Sequence, residues 1–95
     1  MKWKKDSTMW KIKFDESLEK VLRKIDTETR KRIIDFLKLR VAVSENPRIL
    51  SEPMKGNFAG LCRYRVGNYR IICRIEDDIL TVLVLKIGHR KNIYD

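Results

Sequence analysis

Hydrophobic and polar residues alternate from Met9 to Phe14, near the start of the chain. Trp10, Ile12 and Phe14 fall on one side of this run, and Lys11 and Lys13 fall on the other. A period of two is typical of a strand with one buried face. We therefore expect a first strand here, preceded by a loose polar extension over residues 1–8.

The period then lengthens to that of a helix. Leu18, Val21, Leu22 and Ile25 recur at i, i+3, i+4 and i+7, which places them on one side of a helix that Asp15 can cap. A second helix follows almost at once, capped by Asp26 or Thr27 and running to about Ser44, where Asn46-Pro47 ends it. Its predicted apolar stripe is Ile33, Ile34, Leu37 and Val41, widened by Phe36, Leu39 and Val43.

Three further strands are predicted after a loop over residues 47–60. Alternation over Leu61–Val66 and again over Tyr69–Ile75 surrounds Gly67-Asn68, a two-residue hairpin turn. A nearly continuous apolar run over Ile79–Ile87 predicts a central strand buried on both faces. The order is β-α-α-β-β-β, an α+β fold with a helical hairpin on a twisted, mostly antiparallel four-stranded sheet. We expect one domain over residues 9–95.

Charge adds the first indication of function. The chain has 95 residues and carries 22 Lys and Arg against 13 Asp and Glu, a formal charge of +9. A field of that sign favours polyanions, chiefly nucleic acid. Hydrophobic residues make up 43% of the chain, which argues against intrinsic disorder.

Other chemistry is sparse in the sequence. Cys62 and Cys73 lie in strand-like runs, and two cysteines with the single histidine, His89, form neither a disulfide framework nor a metal cluster. We expect buried reduced thiols, no cofactor and no metal. The start of the chain predicts neither a signal peptide nor a membrane span, so a cytoplasmic location is expected.

Strand alternation decides which basic residues meet. With Gly67-Asn68 as the turn, Arg65 pairs with Arg70 and Arg63 faces Ile72, so three arginines share one face of one hairpin. Like charges placed opposite each other are destabilising. Salt bridges to nearby acids would relieve the repulsion, but an anionic ligand such as phosphate suits the arginine fork, and we favour an anion site.

The basic strands also carry a family resemblance. Lys55-Gly56, the segment Arg-Tyr-Arg-Val-Gly-Asn-Tyr-Arg-Ile-Ile from Arg63 to Ile72, the later Ile-Gly-His-Arg ending at Arg90, and Tyr94 resemble the RelE/ParE toxin superfamily over roughly residues 9–95. The resemblance implies a RelE-like microbial RNase fold. It also implies the toxin of a type II toxin–antitoxin system, a metal-independent endoribonuclease that cuts mRNA in the ribosomal A site and so inhibits translation.

By that resemblance, Arg70 would stabilise charge on the phosphate, Arg90 would neutralise or protonate the leaving oxygen, and Tyr94 would stack on a base. Well-studied RelE toxins carry lysines where this chain has Arg63 and Arg65, and arginine is too basic to accept a proton. The general base is therefore unassigned, with His89 or Tyr94 as candidates. The candidate catalytic residues are Arg65, Arg70, His89, Arg90 and Tyr94, and the candidate RNA-binding residues are Lys55, Arg63, Arg74, Lys86 and Lys91.

Two other functions fit the same residues. A ParE-like toxin shares the fold but inhibits DNA gyrase, and a non-catalytic RNA- or ribosome-binding module would explain the missing lysines. Tyr94 after Gly-His-Arg favours the ribonuclease. The expected partners are a small acidic RelB-like antitoxin, the ribosome and mRNA, with charges complementary to +9.

Overall fold

The computed structural model describes residues 9–93, which contain a five-stranded sheet with two helices on one face. The strands are β1 (Lys11–Phe14), β2 (Glu52–Pro53), β3 (Cys62–Val66), β4 (Tyr69–Glu76) and β5 (Thr81–His89), and the helices are α1 (Leu18–Lys24) and α2 (Thr27–Phe36). Residues 1–8, expected to be a loose extension, lie outside the described range, as do Tyr94 and Asp95. No helix in the described part is both long and apolar enough to cross a membrane.

The sheet order is β1-β5-β4-β3-β2, with β1 parallel to β5 and the other pairs antiparallel. The α+β class and the packing of a helical hairpin on this sheet are confirmed, but the expected count of four strands is wrong. The added strand, β2, has two residues, one of them Pro53, and pairs along the edge with Arg63 and Cys62. A two-residue strand shows no alternation, so its pattern cannot be read from the sequence.

Side-chain caps hold the start of α2 in place. Asp26 rather than Thr27 is the N-cap, and its carboxylate accepts a hydrogen bond from the Thr29 amide at 3.0 Å. Helix α1 begins at Leu18, three residues after the predicted cap, Asp15. The Asp15 carboxylate instead accepts bonds from the Ser17 amide and hydroxyl, which forms a turn before the helix.

Beyond α2 the chain continues through one π-helical turn, Leu37–Val41, instead of a regular helix to Ser44. The Ala42 amide donates to the Leu37 carbonyl, a bond that spans five residues. The wider turn keeps both Leu37 and Val41 fully buried. Leu39 and Val43 each lie two residues, about half a helical turn, from one of these buried positions. They are exposed, at 65% and 38%, so their predicted place in the apolar stripe is wrong.

Strand β5 also differs from its prediction. It begins at Thr81, because Asp77–Ile79 form a 3₁₀ turn and Leu80 adopts a left-handed conformation with φ 47°. It continues to His89, paired with β4. Val82, Val84 and Ile87 are buried, whereas Leu83 and Leu85 on the same strand are only partly so, and the expectation of burial on both faces is therefore too strong.

One face of the sheet, which we call the helix face, packs against the helical hairpin. Its side chains form one cluster with Leu18, Ile25, Ile33 and Leu37 of the helical segments. The Tyr64 ring lies fully buried there, and its hydroxyl donates to the Pro47 carbonyl at 2.6 Å. The expectation of buried thiols is confirmed for both cysteines, which are free and paired directly across β3 and β4. The strand residues of the helix face include Tyr64, Val66, Ile71, Cys73, Val82 and Val84.

Candidate functional site

The other face of the sheet, which we call the open face, carries the predicted arginines. The β3–β4 hairpin has the predicted register: Arg65 pairs with Arg70 across the Gly67-Asn68 turn, and Arg63 pairs with Ile72. Paired side chains on one face of antiparallel strands are about 5 Å apart. Three arginines therefore project from one small area on the side of the sheet away from the helices.

A carboxylate from the edge strand lies among these arginines. Glu52 of β2 pairs in register with Arg63 and accepts hydrogen bonds from its Nε at 3.0 Å and its Nη2 at 2.6 Å. The same Glu52 oxygen lies 3.6 Å from the Arg65 Nε. One acid thus holds two guanidinium groups in place, and it offsets part of the repulsion that the sequence predicts for this hairpin.

The arginines also set the protonation of Glu52. The Arg63 hydrogen bond, together with the positive charges of Arg63, Arg65 and Arg70, holds the pKa of the Glu52 carboxyl below its ordinary value, and partial desolvation opposes this only in part. Glu52 is therefore ionised at neutral pH. The charge of Arg70 is the smallest of these contributions to the lowered pKa of Glu52.

Arg70 is held differently from its neighbours. Its Nη1 donates to the backbone carbonyls of Gly67 and Tyr69, at 3.1 and 3.0 Å. Within residues 9–93 no carboxylate lies in salt-bridge range of Arg70, so the guanidinium has no anionic partner there. An arginine fixed by carbonyls and left without a counter-charge is well suited to bind a phosphate oxygen.

The hairpin turn also positions the segment after β5. The Arg90 amide donates to the Asn68 carbonyl at 2.8 Å, so the backbone of Arg90 lies beside the turn that anchors Arg70. Gly88 pairs with Arg70, and a methyl group at Gly88 would come within 2.8 Å of the Ile93 Cδ1. The glycine therefore gives the Ile93 side chain room to pack closely here, and buried Ile93 lies over the open face beside Arg70.

Comparison with known proteins agrees with this arrangement. Residues 12–94 match the family described as the ParE toxin of type II toxin–antitoxin systems, parDE. The chain belongs to the RelE/ParE superfamily of type II toxins. Toxin RelE3 of Methanocaldococcus jannaschii is 33% identical over 91 residues, which cover 90% of this chain and 96% of that toxin. Toxin RelG of Mycobacterium tuberculosis is 28% identical over 83 residues, which cover 87% and 93%.

A solved structure shows the same fold at lower identity. The toxin–antitoxin complex RelBE2 from Mycobacterium tuberculosis contains a chain that superposes with a TM-score of 0.78 at 24% identity. The match covers 90% of this chain and 95% of that one. At that identity the likeness establishes the fold of the toxin, and the site must be read from its own residues.

His89 is not brought together with the arginines of the toxin. It pairs with Tyr69 on the helix face, where the two rings meet edge to face with centroids 5.7 Å apart. Its Nδ1 accepts a bond from the Lys91 amide at 3.2 Å. Because side chains alternate along a strand, His89 points to the opposite side of the sheet from Arg70.

The predicted RNA-binding residues are spread over a wider area. Lys86 flanks the fully buried Ile72 on the open face, and its ammonium lies 5.8 Å from the centre of the Phe58 ring. Arg74 lies two residues beyond Ile72 on the same face of β4, and its Nε is 3.2 Å from a carboxylate oxygen of Glu76. The remaining two, Lys55 and Lys91, are exposed in the segments before β3 and after β5.

One predicted residue cannot be placed, and one site residue was not predicted. Tyr94 lies outside the described residues, and its assignment stays a prediction. Glu52 was missed because it lies in a segment read as a loop, eleven positions before Arg63. Only the pairing of β2 with β3 brings the two together, and no spacing in the sequence indicates that pairing.

Proposed function

We propose that this toxin is a ribosome-dependent endoribonuclease that cuts mRNA and so inhibits translation. The observation that supports this best is the combination of an ionised carboxylate, Glu52, with Arg63 and Arg65 in direct contact and Arg70 in the adjacent register position. When the 2′-hydroxyl of the RNA attacks the adjacent phosphate, cleavage needs a group that accepts the hydroxyl proton and positive charge around that phosphate.

The proposed reaction uses these groups in turn. Glu52 accepts the proton of the 2′-hydroxyl as that oxygen attacks the adjacent phosphorus, and the bond to the 5′-oxygen breaks. The departing 5′-oxygen takes up a proton from water beside Arg90, which leaves a cyclic phosphate and a 5′-hydroxyl. When RNA binds, its phosphate oxygens replace Glu52 as the hydrogen-bond acceptors of Arg63 and Arg65. Glu52 is then free to act as the base. This fills the role that the missing lysines left open, since arginine cannot act as a base at neutral pH.

Arg70 and Arg90 complete the charge distribution in the proposal. Arg70 is preorganised by two backbone carbonyls, so its free N–H groups bind the charge that develops on the phosphate without reorganisation. The backbone of Arg90 starts beside the same turn, which is consistent with a role at the leaving oxygen. Tyr94 is proposed to stack on a base, and the exposed lysines are proposed to contact the RNA backbone.

The proposed partners follow from the superfamily. Among the similar structures, several are toxins solved with RelB antitoxins, and we propose that an acidic antitoxin of this type controls this toxin. Such a partner complements the charge of +9. The ribosome and mRNA are the proposed targets, which places the activity in the cytoplasm.

One translation experiment tests this proposal. Purified toxin is added to an in vitro translation reaction, and primer extension maps breaks in the mRNA. We expect cuts at codon-spaced positions that appear only when ribosomes are present. R70A, purified in the same way, is the inactive control.

The same preparation distinguishes the second candidate. The family that matches this chain carries the name of the ParE toxin. A ParE-like toxin would inhibit DNA gyrase. A gyrase supercoiling assay is therefore run in parallel. Inhibited supercoiling with intact mRNA would replace the ribonuclease by the gyrase inhibitor, and a lack of both effects would leave a binding module.

A further inference from the structure

An apolar surface lies beside the π-helical turn after α2, and nothing in the described structure covers it. Leu39 projects outward from this turn and is 65% exposed, while the Phe36 ring beside it is half-buried against the Tyr64 ring at 5.6 Å. Val66, at the end of β3, closes the other side. These residues line an open depression of about 360 Å³, which we call the α2 groove. Its lining is Arg32, Asp35, Phe36, Leu39, Arg40 and Val66.

The rim of the α2 groove is cationic. The Arg40 guanidinium lies 5.9 Å from the centre of the Phe36 ring, and Arg32 stands on the other side. The one acid in the lining, Asp35, is paired with Lys31 at 2.7 Å. No carboxylate of residues 9–93 is in salt-bridge range of Arg32 or Arg40, so both arginines are available to an acidic ligand.

The groove adjoins the turn that organises the open face. The Arg32 guanidinium lies beside Gly67, with its Nη1 3.6 Å from the point where a β-carbon would stand. Gly67 in turn offers its carbonyl to Arg70. A ligand in the groove therefore lies on the helix side of the hairpin that carries the arginines, without covering the open face itself.

We propose that the α2 groove is an anchoring site for an acidic, amphipathic segment of the antitoxin, an inference that rests on the proposed toxin–antitoxin function. An apolar side chain of the segment packs on Phe36, Leu39 and Val66, and flanking carboxylates bind Arg32 and Arg40. The arginines select an acidic partner. The apolar floor, exposed in the free toxin, would be buried by the bound segment and form the centre that a specific interface needs. Other parts of the antitoxin remain free to cover the open face.

The test uses the toxin in complex with the protein encoded by the reading frame beside it. The two are co-expressed and purified, and the dissociation constant is measured for wild type, L39E and R40E. We expect each variant to weaken binding by roughly 10- to 30-fold, because a buried interface anchor is lost and a negative charge faces an acidic segment. Matched controls are I79E, at an apolar side chain of similar exposure in the β4–β5 turn, and R23E, at an exposed arginine of α1.

Two further readouts separate this proposal from the proposed function. Melting temperatures of the free variants check their folding, and the translation assay checks their cleavage, which we expect to equal that of wild type. Unchanged affinity in L39E and R40E, equal loss in the controls, or no complex with the neighbouring protein would each overturn the groove proposal. Self-association of free toxin that L39E abolishes would assign the groove to a second copy instead. Failure of cleavage alone would overturn only the ribonuclease.

Discussion

The two faces of the sheet are built from the same strands, but one carries packed apolar side chains and the other carries charged arginines. On the helix face, Tyr64, Ile71 and Val84 are fully buried, and the Tyr64 hydroxyl has an acceptor. On the open face, Arg63 and Arg65 share the Glu52 carboxylate, and no carboxylate of residues 9–93 is in salt-bridge range of Arg70. One face minimises free energy by packing, while the other retains a repulsion that an anion would relieve.

This difference separates stability from activity along each strand. Because neighbouring residues of β3 and β4 point to opposite faces, a substitution at one position should affect folding and a substitution at the next should affect cleavage. At the Gly67-Asn68 turn, where the two strands join, backbone carbonyls hold Arg70 and the backbone of Arg90. Substitutions on each face therefore test the comparison directly.

The largest effect on cleavage is expected for E52Q. Loss of the proton acceptor should slow cleavage by about 10²–10⁴-fold. RNA binding should become tighter at the same time, because the amide no longer competes with phosphate for Arg63 and Arg65. Single-turnover cleavage rates and RNA titrations measure the two changes. A normal rate in E52Q would reduce Glu52 to a structural partner of the arginines.

Removing Arg70 tests the anion site on the same face. We expect R70A to slow cleavage by about 10²–10³-fold, the loss seen when one preorganised donor to a developing charge is removed. R74A, on the same face of β4 but paired with Glu76, is the control. An exposed ion pair contributes about 0–1 kcal/mol, so R74A should change the rate by less than about fivefold. Equal losses in both variants would indicate a diffuse basic surface.

The helix face is tested by a pair of substitutions in one helical segment. I33A removes a fully buried side chain and should lower the free energy of unfolding by about 2–5 kcal/mol. L39A, at a position that is 65% exposed, should change it by less than about 0.5 kcal/mol. Urea unfolding measures both. A large loss in L39A would show that the π-helical turn depends on its outer residue.

Acid titration sharpens the role of Glu52 in the folded state. Its pKa is lowered in the folded protein, so the carboxylate contributes stability above its unfolded pKa, and this contribution is lost as the pH falls through the folded value. Between about pH 5 and pH 3, the melting temperature of wild type should therefore fall further than that of E52Q. Parallel melting curves for wild type and E52Q would contradict the ion pair with Arg63.

The smallest effect is expected for H89A. The ring contacts Tyr69 on the helix face, so its loss should lower the free energy of unfolding by about 0.5–1.5 kcal/mol and leave the cleavage rate and its pH profile unchanged. Cleavage rates across pH 5–9 measure this. If the cleavage rate of H89A no longer fell at low pH as it does in wild type, His89 would be the proton acceptor rather than Glu52.

The sequence by itself determined the elements whose information is local. Alternation in β3 and β4 with Gly67-Asn68 between them predicted the register that places Arg65 opposite Arg70, because a two-residue turn leaves only one pairing. Alternation also predicted that His89 and Arg90 have opposite parity. Net charge and the spacing of the arginines predicted an anion-binding face.

Tertiary structure alone decided where distant residues meet. Glu52 reaches Arg63 only because a two-residue edge strand forms against β3, and a contact between separate segments leaves no periodic signal. The π-helical turn over Leu37–Val41 likewise leaves no periodic signal in the sequence, although it keeps both of its ends buried. Local patterns fix which side of an element a residue occupies, but packing between elements decides what that side meets.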